Sequence, residues 1–437
     1  MEALVLRRIN AARALTLCYG ARVSAGAHGI FSEAVDDNKA MNTGTADAVT
    51  THGMQGDTVA PDWPLLNAEE LRALAKGFDA LGGPHRLLWH SPRPFSAAAL
   101  VQTRRGTLFV KRHDARVRDV ASLGEEHRFI AHLSARGISV PAVLCDADGR
   151  TAVAVDRWVY EVHERCRGAD TYREAHSWTP VRTRAHARAL GRSLAQLHLA
   201  ARDFNAPARA ARPLLASFDI VGCGKLEVAL ERFVAQRPAL AAFLGTENWR
   251  DRVLQTLEPT HRLLRPLLDL LDPLWAHNDW HASNLFWTHS GPDAQVQATI
   301  DFGLSNRGVA VADLAIALER NTIAWLDFDE NAGDVAGAIG QPSLATALLA
   351  GYCSVRPLSA LERDALLLLL PLAHVEYALS EVDYFQGIVG NERNAQLAYS
   401  GFLLGHVQWF NGQHGRAYLA ELREWMRGEA RAQPGQR

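Results

Sequence analysis

Asp279 is followed five residues later by Asn284, and a second carboxylate, Asp301, stands 17 residues beyond that. Two short apolar runs, Leu285–Trp287 and Ala298–Ile300, lie between Asn284 and Asp301. An acid, an amide and a second acid in this order suit phosphoryl transfer. That reaction needs one carboxylate to hold the attacking hydroxyl and take its proton. It also needs hard oxygen donors for the magnesium that bridges the phosphates. Asp279 fits the first role; Asn284 and Asp301 fit the second. His277 and His281, four residues apart, could share a helical face as zinc ligands do, but no third ligand has a place in the pattern.

Such groups need elements to position them. Upstream, Asn67 is an N-cap for a helix reaching Leu81, which Gly82-Gly83-Pro84 stops. Apolar segments at His85–His90, Ala97–Thr103 and Thr107–Arg112 read as strands, with Gly106 in the turn between the last two. Ser122–Arg136 reads as a helix with Phe129, Ile130 and Leu133 on one face and Gly137 at its end. Further strands are expected over Val140–Asp146 and Thr151–Val162, joined by the Asp148-Gly149 turn. Beyond Gly168 the texture changes to Ala- and Leu-rich helices, beginning with Arg182–Ala201. The fold class is therefore α+β: a small antiparallel sheet with one helix, then a mostly helical unit. Boundaries fall at residues 1–62, an extension without apolar periodicity, at 63–165, and at 166–437.

Composition excludes several classes. A chain of 437 residues with a formal net charge of −2 has no global attraction for nucleic acid or an anionic membrane. No run approaches the roughly 20 uninterrupted apolar residues of a membrane span. Five scattered cysteines form no Cys-x-x-Cys pair, which points to the reducing cytoplasm and away from a disulfide framework. Lysine occurs only at positions 39, 76, 111 and 225 among 46 basic residues, so each one merits a question.

The run His277-Asn278-Asp279-Trp280-His281-Ala282-Ser283-Asn284, followed by Ile300-Asp301-Phe302-Gly303, resembles the signature of the aminoglycoside phosphotransferase and choline kinase family. Val311-Ala312-Asp313-Leu314-Ala315-Ile316-Ala317 also looks like family sequence, reminiscent of homoserine-kinase-like members. The resemblance covers roughly residues 85–410. It departs at Asn278, where the family has glycine. It implies a two-lobed protein-kinase-like fold, an ATP- and Mg2+-dependent kinase, and a small-molecule hydroxyl acceptor, often cationic. Lys111, ending its strand, then takes the lysine's place at the α- and β-phosphates, and Glu126 on the next helix becomes its partner. In place of a Gly-rich loop, Ser91-Pro92-Arg93-Pro94-Phe95-Ser96 would offer Ser91, Arg93 and Ser96 to phosphate. Adenine would meet the backbone near Tyr160–Glu164. His277 would hold the loop through the backbone, while the role of His281 stays open.

For the acceptor, Glu376, Ser380 and Asp383 fall at i, i+4 and i+7 of an expected helix, with Tyr377, Glu381 and Tyr384 one step around. Glu376 and Asp383 are the candidates to hold an ammonium, and Trp178, Trp280 and Trp409 are candidate pocket walls. The alternative to an enzyme is a non-catalytic nucleotide- or metabolite-binding protein that keeps this fold. Retention of Lys111, Asp279, Asn284 and Asp301 together speaks against it.

Overall fold

The computed structural model describes residues 50–245, 248–326 and 338–432. Most of the expected N-terminal extension, residues 1–49, lies outside the described residues. Its last part is ordered: β1 (Thr51–His52) and β2 (Thr58–Val59) form an antiparallel hairpin. Order therefore begins at least 12 residues earlier than the sequence indicates. Gly56, at φ 83°, makes the turn, a region an L-residue enters only with strain.

Helix α1 (Ala68–Leu74) is shorter than expected but starts where the cap predicts. Asn67 accepts from the Glu69 and Glu70 amides, and Glu70 answers the Asn67 amide. Next come β3 (Arg86–His90), β4 (Ala97–Thr103), β5 (Gly106–Asp114), α2 (Val120–Ala135), β6 (Ala152–Val155) and β7 (Trp158–Glu164). The five strands make one antiparallel sheet in the order β3-β4-β5-β7-β6. Phe129, Ile130 and Leu133 of α2 are buried, as their spacing predicts.

Two expectations fail here. Val140–Asp146 is not a strand: Pro141 has no amide to donate, and only an isolated bridge, Val143 to His163, joins it to the sheet. Thr151–Val162 is two strands, because Asp156 turns the chain at φ 54°.

Gly168, at φ 110°, begins the passage into the helical lobe. A Cβ there would sit 2.6 Å from the Trp287 carbonyl, and the next residue, Ala169, exchanges two backbone hydrogen bonds with Trp287. Helix α3 (Arg184–Ala201), capped by Thr183, buries Leu190, Leu194, Leu197 and His198. After α4 (Leu226–Ala235), α5 (Pro238–Leu244) and α6 (Trp249–Leu268) come two antiparallel strand pairs: β8 (Pro273–Ala276) with β11 (Asn306–Val309), and β9 (Leu285–Trp287) with β10 (Val296–Thr299). These pairs frame the 277–303 segment. Helices α7 (Ala310–Thr322), α8 (Pro342–Cys353), α9 (Ala360–Leu369) and α10 (Val375–Tyr384) pack behind them. Ala360–Val389 is long and apolar enough to cross a membrane by length and composition, but 89% of its most apolar window is buried inside the fold.

Helices α3 and α8 touch backbone to backbone. A Cβ on Gly191 would lie 2.0 Å from the Leu348 carbonyl, and one on Gly351 would lie 2.0 Å from the Arg188 carbonyl. Neither neighbour is a side chain that can swing away. Gly191→Ala is therefore expected to destabilise the fold by about 1–3 kcal/mol through overpacking, read as a lower urea midpoint. A midpoint equal to the parent's would show that the helices separate freely.

Candidate active site

The 277–284 loop is built on a buried carboxylate. Asp313, in the first turn of α7, accepts from the backbone N–H groups of His277 and Asn278, each at 2.9 Å, and from His198 Nε2 at 3.0 Å. Asn278 adopts φ 60°, a left-handed conformation that glycine occupies without cost and asparagine better than most side chains. This accounts for the asparagine where the resemblance expects glycine. Its amide also donates to the Leu304 and Asn306 carbonyls. His277 bonds the Ile300 carbonyl through Nε2 at 3.0 Å, as a loop-holding residue should. Asn321 completes the frame: it accepts from the Ala282 amide and donates to the Trp280 carbonyl.

This frame presents Asp279 to a cavity. Its Oδ2 accepts from Asn284 Nδ2 at 3.0 Å and faces His281 Nε2 at 3.5 Å. Its Oδ1 is buried and accepts no hydrogen bond, although Arg320 Nη1 lies 3.3 Å away. Burial alone would raise the Asp279 pKa, but His281, Arg320 and His277 together hold it well below the usual carboxylate range. Asp279 is thus an anion with one oxygen unpartnered, the condition a group must meet to receive a hydroxyl.

Asn284 spends its amide N–H groups on Asp279, which leaves its carbonyl oxygen for another partner. Asp301, also left-handed at φ 58°, pairs with Lys111 Nζ at 3.0 Å. Burial pushes the Asp301 pKa up and Lys111 pulls it below normal; burial likewise works against the Lys111 charge, and Asp301, Glu161 and Glu126 reverse it. A carboxylate and an amide oxygen side by side are the hard donors a divalent cation such as magnesium takes, so these residues fit that ion.

Two cavities meet at this point. One is lined by Asp279, His281, Arg320, Trp178, Tyr377 and Glu381, among others. The other lies under the sheet, between Trp89, Leu100, Phe109, Ile130, Glu164 and Phe286. Arg93, Ser96, Lys111, Asn284 and Asp301 border both. Ser91 lines only the second, and the Glu161–Cys166 edge of that cavity falls where the resemblance places adenine.

Glu126 is buried at the back of the second cavity with its Oε2 unpartnered, and the ion pair to Lys111 is made by Asp301 instead. The sequence gives no hint of a second buried acid here. Glu161 stands directly across from Lys111 in the β5–β7 register and accepts from His113 Nε2 at 2.9 Å, His127 Nε2 at 2.8 Å and His163 Nε2 at 2.9 Å. Burial would raise its pKa, but His163 and the three imidazole hydrogen bonds carry it well below normal.

Glu376 and Asp383 do not reach the Asp279 cavity, which corrects the sequence reading. Glu376 accepts from the backbone amides of Asp219, Ile220 and Val221, and Asp383 from that of Leu240 at 3.3 Å. Those amides come from loop and helix-start segments that have no other acceptor. The neighbouring face of α10, Tyr377 and Glu381, looks into the cavity. Trp178 is a cavity wall; Trp280 and Trp409 are core side chains that donate to the Leu190 and Ala338 carbonyls. Arg320, unnoticed in the sequence, lies over the Trp178 ring at 4.0 Å and the Tyr377 ring at 5.4 Å.

A model of the phosphotransferase enzyme family matches residues 95–366. A homoserine kinase of Brucella anthropi is 28% identical over 260 residues, which are 57% of this chain and 65% of that protein, so slightly less than two thirds of that relative is spanned. A homoserine kinase of Xanthobacter autotrophicus is 30% identical over 271 residues, 61% of this chain and 70% of that protein. Among solved structures, a microcompartment-associated aminopropanol kinase superposes at TM-score 0.51 with 20% identity, covering 79% of this chain and 98% of its own; it shares the two-lobed fold.

The Glu381 pKa is pushed up to about 8, chiefly by burial and then by Asp279 and Glu319, with Arg320 opposing. The folded chain keeps this proton up to about pH 8, whereas the unfolded side chain releases it near 4.5. Between those values the folded state binds more protons, so Glu381 lowers stability as pH rises. The urea midpoint of the parent should therefore fall more steeply from pH 5.5 to 7.5 than that of Glu381→Gln. Parallel profiles would contradict the assigned shift.

Proposed function

We propose that this chain, which belongs to the phosphotransferase enzyme family, is an ATP- and Mg2+-dependent kinase that phosphorylates a hydroxyl of a small amine-bearing molecule. The observation that carries the reading is the common wall of the two cavities: Lys111, Asn284 and Asp301 face both, and Asp279 stands on one side only. The cavity under the sheet takes the nucleotide, and the cavity holding Asp279 takes the acceptor.

Bound MgATP would supply the phosphoryl group and the charge neutralisation its transfer requires. Asp279 Oδ1 accepts the hydrogen bond of the acceptor hydroxyl, orients its lone pair toward the shared wall, and receives the proton as the new oxygen–phosphorus bond forms and the bond from the γ-phosphorus to the departing ADP oxygen breaks. Asn284 and Asp301 would hold the metal through oxygen. Lys111, kept charged by Asp301, Glu161 and Glu126, would contact phosphate. Ser91, Ser96 and Arg93 contribute donors from the β3–β4 loop. Arg320 and His281 keep Asp279 ionised and aimed.

An amine on the acceptor is supported by the cavity wall. Glu381 offers a carboxylate, and Tyr377 and Trp178 offer ring faces. An ammonium arriving there takes the place of the Glu381 proton, so a buried acid that is costly when empty becomes paired when the site is filled. Similarity to homoserine kinases supports trying hydroxy amino acids first, with amino alcohols next. A cytoplasmic location fits the chain's thiols, of which Cys166, Cys223 and Cys353 are free among the described residues.

A coupled ADP-release screen over homoserine, hydroxylysine, ethanolamine, choline, aminoglycosides and simple sugars identifies the acceptor. Asp279→Asn should lower kcat by about a thousandfold or more while MgATP still binds within a few-fold of the parent. Undiminished turnover in that variant would remove Asp279 from the reaction.

A further inference from the structure

The hairpin of residues 51–59 precedes the family-matched region, yet His52, Gly53 and Met54 line the cavity that holds Asp279. Several contacts seat it. The His52 amide donates to the Pro92 carbonyl at 2.8 Å, and Arg93 Nη1 donates to His52 Nδ1 at 3.0 Å. The His52 ring stacks on His176 at 4.0 Å, and His176 Nε2 donates to the Asp57 carbonyl at 3.1 Å. Burial, then Arg93 and His176, lower the His52 pKa to about 4, so the imidazole is neutral and Nδ1 is free to accept from a guanidinium. At the turn of the hairpin, a Cβ on Gly56 would come within 3.6 Å of Leu326, another residue of the cavity wall.

Arg93 is the centre of this arrangement. It borders both cavities, and besides His52 it donates to Ser177 Oγ at 3.2 Å, beside Trp178. The hairpin is therefore fastened to Arg93, the one arginine among the described residues that borders both cavities. Met54 follows two residues after the latch and presents an unbranched thioether, which shapes itself to an apolar stem.

We propose that this hairpin determines which acceptors reach Asp279, with Met54 as the residue that meets the acceptor and His52 as the positioning residue that locks the hairpin to Arg93. The proposal rests on the assignment of the Asp279 cavity to the acceptor. It assigns specificity to a segment outside the common family core, so that chains sharing the catalytic residues can differ in substrate through this wall.

The test uses the full chain as parent, Met54→Ala and His52→Ala, with thermal unfolding confirming that each variant folds. Steady-state constants for MgATP and for homoserine, or for whichever compound in the screen turns over best, are measured alongside calorimetric binding of the same compound. Met54→Ala should raise the acceptor KM about tenfold and leave the MgATP KM within twofold. It should also narrow the preference over a bulkier amine such as hydroxylysine. His52→Ala should raise the acceptor KM in the same direction. Unchanged acceptor constants in both variants, or equal shifts for acceptor and MgATP, would overturn the hairpin's role while leaving the kinase reading intact. A parent that binds the compound without phosphorylating it, with binding weakened by Met54→Ala, would overturn the kinase reading and keep the hairpin's. A parent that neither binds nor phosphorylates any compound in the screen would overturn both.

Discussion

Asp313 is fully buried, and its two oxygens serve the His277 amide, the Asn278 amide and His198 Nε2. A carboxylate taken this far from water is tolerable only when its lone pairs are used, and here the donors are the backbone of the segment that carries Asp279. The loop has little regular structure to hold it: among the described residues it is a strand end, a single 3-10 turn and another short strand. Asp313 substitutes for a sheet. With the loop fixed, Asn278 can remain left-handed, Asp279 can point outward, and Asn284 can brace it from five residues away. If that carboxylate were lost, two buried amides would go unpaired at the foot of Asp279, a cost comparable with a whole hydrogen-bonded network.

The electrostatics above that loop are arranged around a shared surface. Lys111 brings one positive charge between the cavities, and Asp301 and two buried acids, Glu161 and Glu126, share it. Glu161 is kept ionised by three imidazole donors rather than by a salt bridge, so its charge is available to the lysine. In the neighbouring cavity Asp279 is offset by Arg320, whose guanidinium is pinned between Asp279 and the Trp178 face. Both cations hold their carboxylates ionised in fixed positions before any ligand arrives, the condition under which a site needs little reorganisation.

Much of this was legible in the residues. The Asp279, Asn284, Asp301 spacing, the strand that carries Lys111, the cap at Asn67 and the buried face of α2 are local patterns, and local physics decides them. The acceptor wall was not legible. Both faces of α10 are buried, Glu376 at 4% exposed and Glu381 at 2%, so spacing names the helix but not the face that looks into the cavity. Asp313 sits in a run that resembles family sequence, but its role depends on amides 35 and 36 residues away. Glu161 depends on three histidines from separate elements, and the hairpin on a segment whose composition resembles a disordered tail. In each case the missing information was tertiary.

Direct passage of the phosphoryl group across the Lys111–Asn284–Asp301 wall is the centre of this account, and stereochemistry reads it. ATP made chiral at the γ-phosphorus with thiophosphate oxygen isotopes, turned over with the acceptor found by ADP release, yields a product whose configuration is determined by 31P NMR. A single in-line transfer to a hydroxyl held by Asp279 predicts inversion. Retention would mean two transfers through a phosphorylated side chain, and would contradict the direct route between the two cavities.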